Sequence, residues 1–208
     1  MTGTEPPYHH GDLRAELIQR AINQIEQGGA AKISLRKLAA DAGVSHNAPY
    51  MHFSNKDALM EAVAAEGFAL LRAAIAEAGG IQTLQAEDWR ARVKTGFTAY
   101  LHFARTWPRL YALMHQPQGG SEAQETGGAK AGEATLTRLS QTLATGQRLG
   151  LVRADDPNRQ ALWVWTTLHG LAGLTGDMRR SFGVLSPDEV ADAVLDQLLQ
   201  GLAPPVDA

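Results

Sequence analysis

Apolar positions recur at helical spacing along almost the whole chain, punctuated by Gly and Pro. Leu13, Leu17, Ile18, Ala21, Ile22 and Ile25 form one face of a first helix, which Gly28 and Gly29 stop. Leu35, Leu38, Ala39 and Ala42 repeat the period and predict a short helix, with Ser34 placed to cap it and Gly43 to close it. Ser45 offers a cap for a second short helix over about His46–Phe53. Two short helices joined by a Gly-containing turn make a helix-turn-helix, with Ala39 small at the crossing and Val44 filling the corner. Ser54 or Asn55 caps a fourth helix with Lys56 in its first turn and Leu59, Val63, Leu70 and Leu71 along it. Running to Gly79-Gly80, it is about 36 Å long at 1.5 Å per residue, enough to leave a small domain and enter the next.

From Trp89 onward the composition changes. Trp89, Val93, Phe97, Tyr100, Leu101 and Ala104 line a helix that Trp107-Pro108 breaks, and Leu110, Tyr111 and Met114 continue in a short turn or helix. Gln116 to Gly132 holds two Gly-Gly pairs and reads as a mobile loop or a loosely ordered helix start. Leu136, Leu139 and Leu143 mark another helix, closed by Gly150. Asp155, Asp156 and Pro157 open the next. Its run Ala161 to Val164, with Leu168, Leu171 and Leu174, is apolar nearly all round, so more than one side must be covered. Pro187 starts a last helix with Val190, Val194, Leu195, Leu198, Leu199 and Leu202. Surplus apolar surface on two C-terminal helices, about 157–175 and 187–202, predicts self-pairing into a homodimer.

Charge refines this picture. The chain of 208 residues carries a net charge of -3, and residues 1–60 hold six Lys or Arg against six Asp or Glu. A nucleic-acid reader is expected to show a basic footprint. Here the excess is local: Lys32, Arg36, Lys37 and Lys56 face Asp41 alone between Lys32 and Lys56. Few phosphate contacts per subunit and a modest salt slope follow, both doubled in a dimer. With 44% hydrophobic and 20% charged residues the chain is an ordinary globular one. There is no cysteine, hence no disulfide or thiolate chemistry. No run approaches the roughly 18 apolar residues of a membrane span, and the N-terminus lacks the apolar region of a signal peptide. A cytoplasmic soluble protein is expected.

The second helix of a helix-turn-helix lies in the major groove and meets base edges with its N-terminal residues, here His46, Asn47 and Ala48. Asn pairs with adenine in bidentate fashion, and Ala touches a thymine methyl. Tyr50, His52 and Ser54 cluster at the other end and suit phosphate oxygens. Pro49 is tolerated only near a helix start, so the helix begins close to Asn47 or is distorted there, and the base-reading trio shifts by up to one residue. The candidate DNA-contacting set is Ser34, Arg36, Ser45, His46, Asn47, Ala48, Tyr50, His52 and Lys56. Tyr8-His9-His10-Gly11 with Arg14 reads either as an arm on the DNA or as a frayed terminus. His9-His10 has no further ligand at metal spacing.

Leu35, Leu38, Ala39, Ala42, Gly43, Val44, Ser45, Tyr50, His52, Phe53, Lys56 and Leu59 together resemble the DNA-binding signature of the tetracycline-repressor (TetR) family of bacterial regulators. The resemblance covers about the first third of the chain. It implies that Tyr50, His52 and Lys56 grip phosphates and that Phe53 is core. The stretch Trp165-Thr166-Thr167-Leu168-His169-Gly170 resembles the Trp–His–Gly feature of one TetR subgroup, in which a Tyr-His-His-Gly start also occurs. The fold implied is all-α, of about nine helices: a three-helix helix-turn-helix domain over 1–57, then a helical ligand-binding and dimerisation domain over 58–208. The resemblance also implies an effector pocket, for which the residue types allow Phe97, Tyr100, Leu101, Phe103, Trp107, Leu110, Tyr111, Met114, Trp165 and His169. His102, His115 and His169 are the candidate polar anchors.

The function implied is a homodimeric, ligand-responsive repressor on a palindromic double-stranded operator, with an unidentified, largely apolar small-molecule effector. Two other classes compete. An enzyme lacks support, since there is no nucleophile elbow, paired-histidine zinc motif, P-loop or Gly-rich cofactor loop, and Asp155-Asp156 reads as a helix start. No catalytic residue, cofactor or metal is expected. A helical protein-binding adaptor without sequence-specific DNA binding is the alternative, against which Tyr50, His52 and Lys56 stand.

Overall fold

The computed structural model describes residues 13–78, 88–116, 127–174 and 186–205. Among them are eight α-helices, two 3-10 turns and no strand. In chain order these are α1 (Leu13–Gly28), a turn at Ala30–Lys32, α2 (Leu35–Asp41), a turn at Ala48–Met51, α3 (Lys56–Glu77), α4 (Trp89–Thr106), α5 (Pro108–Met114), α6 (Gly127–Arg148), α7 (Pro157–Leu174) and α8 (Pro187–Leu202). The arm at 8–11 and the middle of the Gln116–Gly132 stretch, 117–126, lie outside the described residues.

The N-terminal unit follows its apolar periodicity. α1 buries Leu17, Ile18, Ala21, Ile22 and Ile25, and these meet Leu35 and Leu38 of α2, Phe53, and Leu59 of α3. α2 closes with paired hydrogen bonds from Val44 N to the Ala39 carbonyl at 3.0 Å and from Gly43 N to the Ala40 carbonyl at 3.1 Å. Gly43 has φ 69°, the left-handed backbone that this closure needs. Ser34 stands at the cap position in extended backbone, but its hydroxyl makes no capping bond. Its carbonyl accepts from Leu38 N at 2.9 Å instead.

The expected second helix over His46–Phe53 is corrected to a single 3-10 turn, Ala48–Met51. Pro49 gives the reason. An α-helix begun at Ser45 would need residue 49 to donate to the Ser45 carbonyl, and proline has no N–H. Ala48 N takes that carbonyl at 3.0 Å, and the spacing of three repeats from Tyr50 N to Asn47 O at 3.1 Å and from His52 N to Pro49 O at 3.0 Å. The Pro49 ring is buried, so the turn is also held from below.

Asn55, not Ser54, caps α3: its Oδ1 accepts from Ala58 N at 2.8 Å. α3 has 22 residues, about 33 Å at 1.5 Å per residue, and belongs to both halves of the molecule. Leu59 and Val63 pack with α1, while Phe68 and Leu71 face the C-terminal helices. α6 begins at Gly127, inside the stretch expected to contain a loop, and lies along α3. The core is continuous from Leu17 to Leu202.

The two C-terminal helices differ. α8 starts with a capping box, Glu189 N donating to Ser186 Oγ at 3.2 Å and Ser186 N to Glu189 Oε2 at 2.6 Å. Its Leu195, Leu198, Leu199 and Leu202 are all buried within the chain. The surplus apolar surface expected of both helices therefore lies on α7, where Leu162 is 52% and Trp163 40% exposed.

Gly146 marks a tight contact in this half. A Cβ there would stand 2.6 Å from both Trp89 Cζ2 and Val152 Cγ2, in a core without slack. Gly146→Ala adds about 1 kcal/mol of helix propensity. It also forces overpacking that costs about 1–3 kcal/mol. We expect a lower Tm by scanning calorimetry; an unchanged or higher Tm would show that Trp89 can move aside.

Candidate functional site

Two separate sets of functional residues emerge, one at each end of α3. At the N-terminal end, Ser34, Arg36, Lys37, Ser45, His46, Asn47, Tyr50 and His52 are all exposed. The short turn makes this display possible. It buries Pro49, half-buries Ala48, and turns Tyr50 outward at 48% exposure. Ala48 is thus less available to a base edge than His46 or Asn47. Lys56 is half-buried and donates from Nζ to the Ala31 carbonyl at 3.0 Å, which ties α3 to the turn after α1. Arg14 is exposed and lies over the Phe53 ring, 5.4 Å from its centroid. Met51 was absent from the expected set and is 85% exposed beside Tyr50. Its position off the apolar stripe was the available signal.

At the other end, a cavity of about 560 Å³ lies between α3, α4, α6 and α7, with Met114 and His115 after α5 against it. Phe97, Tyr100, Met114, Trp165 and His169 line it as expected. Leu101, Phe103 and Leu110 do not: they are buried in the core elsewhere, and Leu101 faces Ala191 and Leu195 of α8. Trp107 is half-buried at the break between α4 and α5. Tyr111 stands behind the wall, its hydroxyl bonded to Tyr100 and His169 of the lining. The wall that sequence reasoning missed comes from α3 and α6: Phe68, Leu71, Arg72, Ile75, Leu136 and Leu139. Of the histidines, His115 and His169 line the cavity and His102 is exposed on the surface.

A polar relay crosses the apolar wall. Tyr100 OH and Tyr111 OH are 2.7 Å apart, and Tyr111 OH is 2.7 Å from His169 Nδ1. The buried Tyr100 hydroxyl finds its acceptor in Tyr111, so Tyr100 donates to Tyr111 and Tyr111 to His169 Nδ1. His169 then carries its proton on Nε2. His115 Nδ1 donates to the Tyr111 carbonyl at 2.9 Å, which leaves Nε2 as an acceptor. That Nε2 is buried and makes no hydrogen bond among the described residues. The two imidazoles lie 4.6 Å apart by ring centroid, with Trp165 stacked on His169 at 5.1 Å.

Burial dominates the electrostatics here. It raises Tyr100 well above the ordinary tyrosine value, with Tyr111 adding to the rise. It pushes Tyr111 up to about 12, opposed by the Tyr100 hydrogen bond. Burial lowers His115, opposed by its bond to the Tyr111 carbonyl and reinforced by nearby His169. It also lowers His169. At neutral pH the whole relay is uncharged. The relay therefore offers hydrogen bonds without charge, and the charged groups on the described lining are Arg72, Arg138 and Glu133 of α3 and α6.

Known proteins match this arrangement in sequence and in shape. Residues 17–63 match the family model described as bacterial regulatory proteins, tetR family. Residues 93–198 match the one described as tetracyclin repressor-like, C-terminal domain. A protein of unknown function from Rhodococcus sp. RHA1 is 35% identical, with 96% of this chain and 100% of that chain covered and a TM-score of 0.77. The nicotine-responsive transcriptional repressor HdnoR of Paenarthrobacter nicotinovorans is 46% identical over 55 residues, 26% of this chain and 28% of that protein. The chain thus aligns with little more than a quarter of that repressor. AibR, solved with isovaleryl coenzyme A and operator DNA, has a TM-score of 0.62 at 17% identity, over 90% of this chain and 98% of that one, a likeness of fold.

The lowered histidines set a pH dependence. Below the ordinary histidine value of 6.5 the unfolded chain takes up protons that folded His115 and His169 refuse. Stability is full above that value, falls as pH drops from there toward the lower folded values, and levels off below them. His115→Gln, which keeps an acceptor but cannot titrate, should flatten the fall in Tm between about pH 7 and pH 5. Identical Tm–pH curves for both proteins would refute the assignment.

Proposed function

We propose that this chain, which belongs to the tetR family of bacterial regulatory proteins, is a ligand-responsive repressor acting as a homodimer on a palindromic operator. Proteins of this family are DNA-binding transcriptional regulators, not enzymes. Residues 1–57 would be the DNA-binding unit and 58–208 the effector-binding and dimerisation unit. No described helix is long and apolar enough to cross a membrane. The cytoplasm, where operators are, is the proposed location.

One observation carries the reading: an exposed reading turn and an apolar cavity are built on the same uninterrupted helix, α3. A second route joins them. α5 runs from the cavity at Met114 toward α1, where Leu110 N donates to Glu26 Oε1 at 2.6 Å and Arg109 donates to the Glu26 carbonyl. An effector that binds one arrangement of these helices better than another shifts the population toward it, and with it the spacing of two reading turns.

In the DNA complex, Asn47 and His46 would meet base edges, while Arg36, Tyr50, His52 and the exposed serines would meet phosphates. Lys56 would act in part by holding the turn after α1. Selection from a random DNA library tests the whole reading. A palindromic enriched motif is expected, and sequence-independent binding alone would favour the adaptor reading. Tyr50→Ala should weaken binding to every sequence alike, by about the 1.5–3 kcal/mol of one hydrogen bond to a phosphate. Asn47→Ala should change the enriched motif; an unchanged motif would remove Asn47 from base recognition.

The dimer would form chiefly through the outer face of α7, with α8 beside it. Leu162, at the rim of the cavity, and Trp163 continue there into exposed Thr166, Gly170 and Gly173. A mid-helix glycine costs about 1 kcal/mol relative to alanine. Among the described residues nothing lies within 4 Å of a Cβ at Gly170 or Gly173, so their smallness serves no packing contact there. It suits close approach of a second helix. Gly170→Arg should leave the circular dichroism spectrum intact yet give a monomer by sedimentation, with operator affinity reduced. A dimeric Gly170→Arg protein would move the interface elsewhere.

A further inference from the structure

We infer that the effector is an organic acid: an apolar body with a carboxylate head held by Arg72. The inference rests on the reading of the cavity as the effector site and adds its chemistry. Arg72 projects from α3 into the lining, half-buried, between apolar Leu71 and Ile75 on the same wall. Its Nη1 donates to the Ala131 carbonyl at 3.4 Å and to Thr135 Oγ1 at 3.2 Å, both long bonds to neutral oxygens. No carboxylate lies within 4.0 Å of it among the described residues, although Arg20, Arg92, Arg105, Arg153 and Arg159 each have one.

A guanidinium withdrawn from water without a counter-ion is costly, and a bound carboxylate removes that cost. The planar fork accepts two carboxylate oxygens at once, and two neutral hydrogen bonds on one nitrogen leave the other donors for them. Thr135 fixes the fork: its hydroxyl donates to the Ala131 carbonyl at 2.8 Å and keeps a lone pair toward Arg72.

The remaining lining agrees in sign. Arg138, one turn beyond Thr135, is a second cation, and Glu133 the one carboxylate on the described lining. Glu133 and Arg138 are exposed, so water screens them, whereas Arg72 is half-buried and the least exposed of the three charges. His115 and His169 are neutral and cannot repel or bind a charge at neutral pH. They offer one acceptor and one donor to a hydroxyl or carbonyl on the apolar body. A cationic amine finds no buried anion here, and a wholly neutral molecule leaves Arg72 unpaired.

Calorimetric titration of the full chain tests this with matched ligands: decanoate and 2-naphthoate against their methyl esters and the corresponding primary amines, below micellar concentrations. The acids should bind about tenfold or more tighter than ester or amine, the range of a charged hydrogen-bond pair. Arg72→Gln should bring acid and ester within about twofold, and Arg72→Lys should restore part of the preference. An ester or amine that binds as well as its acid, an unaltered preference in Arg72→Gln, or no binding by either acid overturns the proposal. Should Arg72→Gln fail to fold, the wild-type comparison of acid with ester decides alone. The titration needs no DNA: acid-selective binding that leaves operator affinity unchanged would uphold the charge assignment and defeat ligand-responsive repression.

Discussion

An uninterrupted α-helix is stiff because each turn is bonded to the next, and in this molecule everything of consequence hangs from one such helix. α3 starts at Lys56, shortly after the reading turn ends at Met51, and ends beside the cavity. Its first half is clamped by α1 through Leu59 and Val63, its second by α6 through Phe68 and Leu71. Cores of this density do not deform continuously. A ligand that wedges Phe68 away from α6 must tilt the helix as a body, and the turn moves with it. Had a glycine or proline interrupted α3 in the open, the two ends would respond independently. Gly67 is present, but Met114 and Leu110 of α5 crowd its side, so the helix is splinted there.

Much of this was legible in the chain. The apolar stripe of α1, the Gly43 closure and the capped start of α3 are local devices, and local devices are written in local sequence. The reading turn shows where legibility ended. Pro49 announced a distortion, yet whether a helix shifts or shrinks depends on what lies beneath the proline ring, and that is a matter of packing. The cavity shows the same boundary. Phe97, Tyr100 and His169 were named because the family resemblance implies a pocket and their residue types suit one, His169 falling in the Trp–His–Gly stretch. The α3 and α6 wall was missed because Leu71, Ile75, Leu136 and Leu139 carry no mark that separates a lined hole from a filled core. Only the distance between two helices decides that, and Gly128 and Gly132 of α6, which lie against Ala64 and Phe68 of α3, let these two approach.

The polar groups of the cavity illustrate how a nonpolar interior can hold hydrogen-bonding capacity without charge. Tyr100, Tyr111 and His169 pass donors along one direction, each satisfying the next. Burial keeps all of them neutral across the physiological range. The unsatisfied member is His115 Nε2, a buried acceptor with no partner among the described residues. Such an atom destabilises the empty state a little, and a ligand that donates to it gains what the fold forgoes. Together with Arg72 it divides recognition between a charge at one wall and a directional bond at the other.

The shortness of the Ala48–Met51 turn has a consequence for information. A long recognition helix can lay three or four side chains along a groove, but a single turn with a buried proline leaves few. Each well-read base pair is worth about 1–3 kcal/mol, so a reader of one or two positions discriminates weakly among the millions of sites a genome offers. Two such readers held at fixed spacing multiply their selectivities rather than add them. The poorer the alphabet of one subunit, the more of the message must be carried by the distance between two.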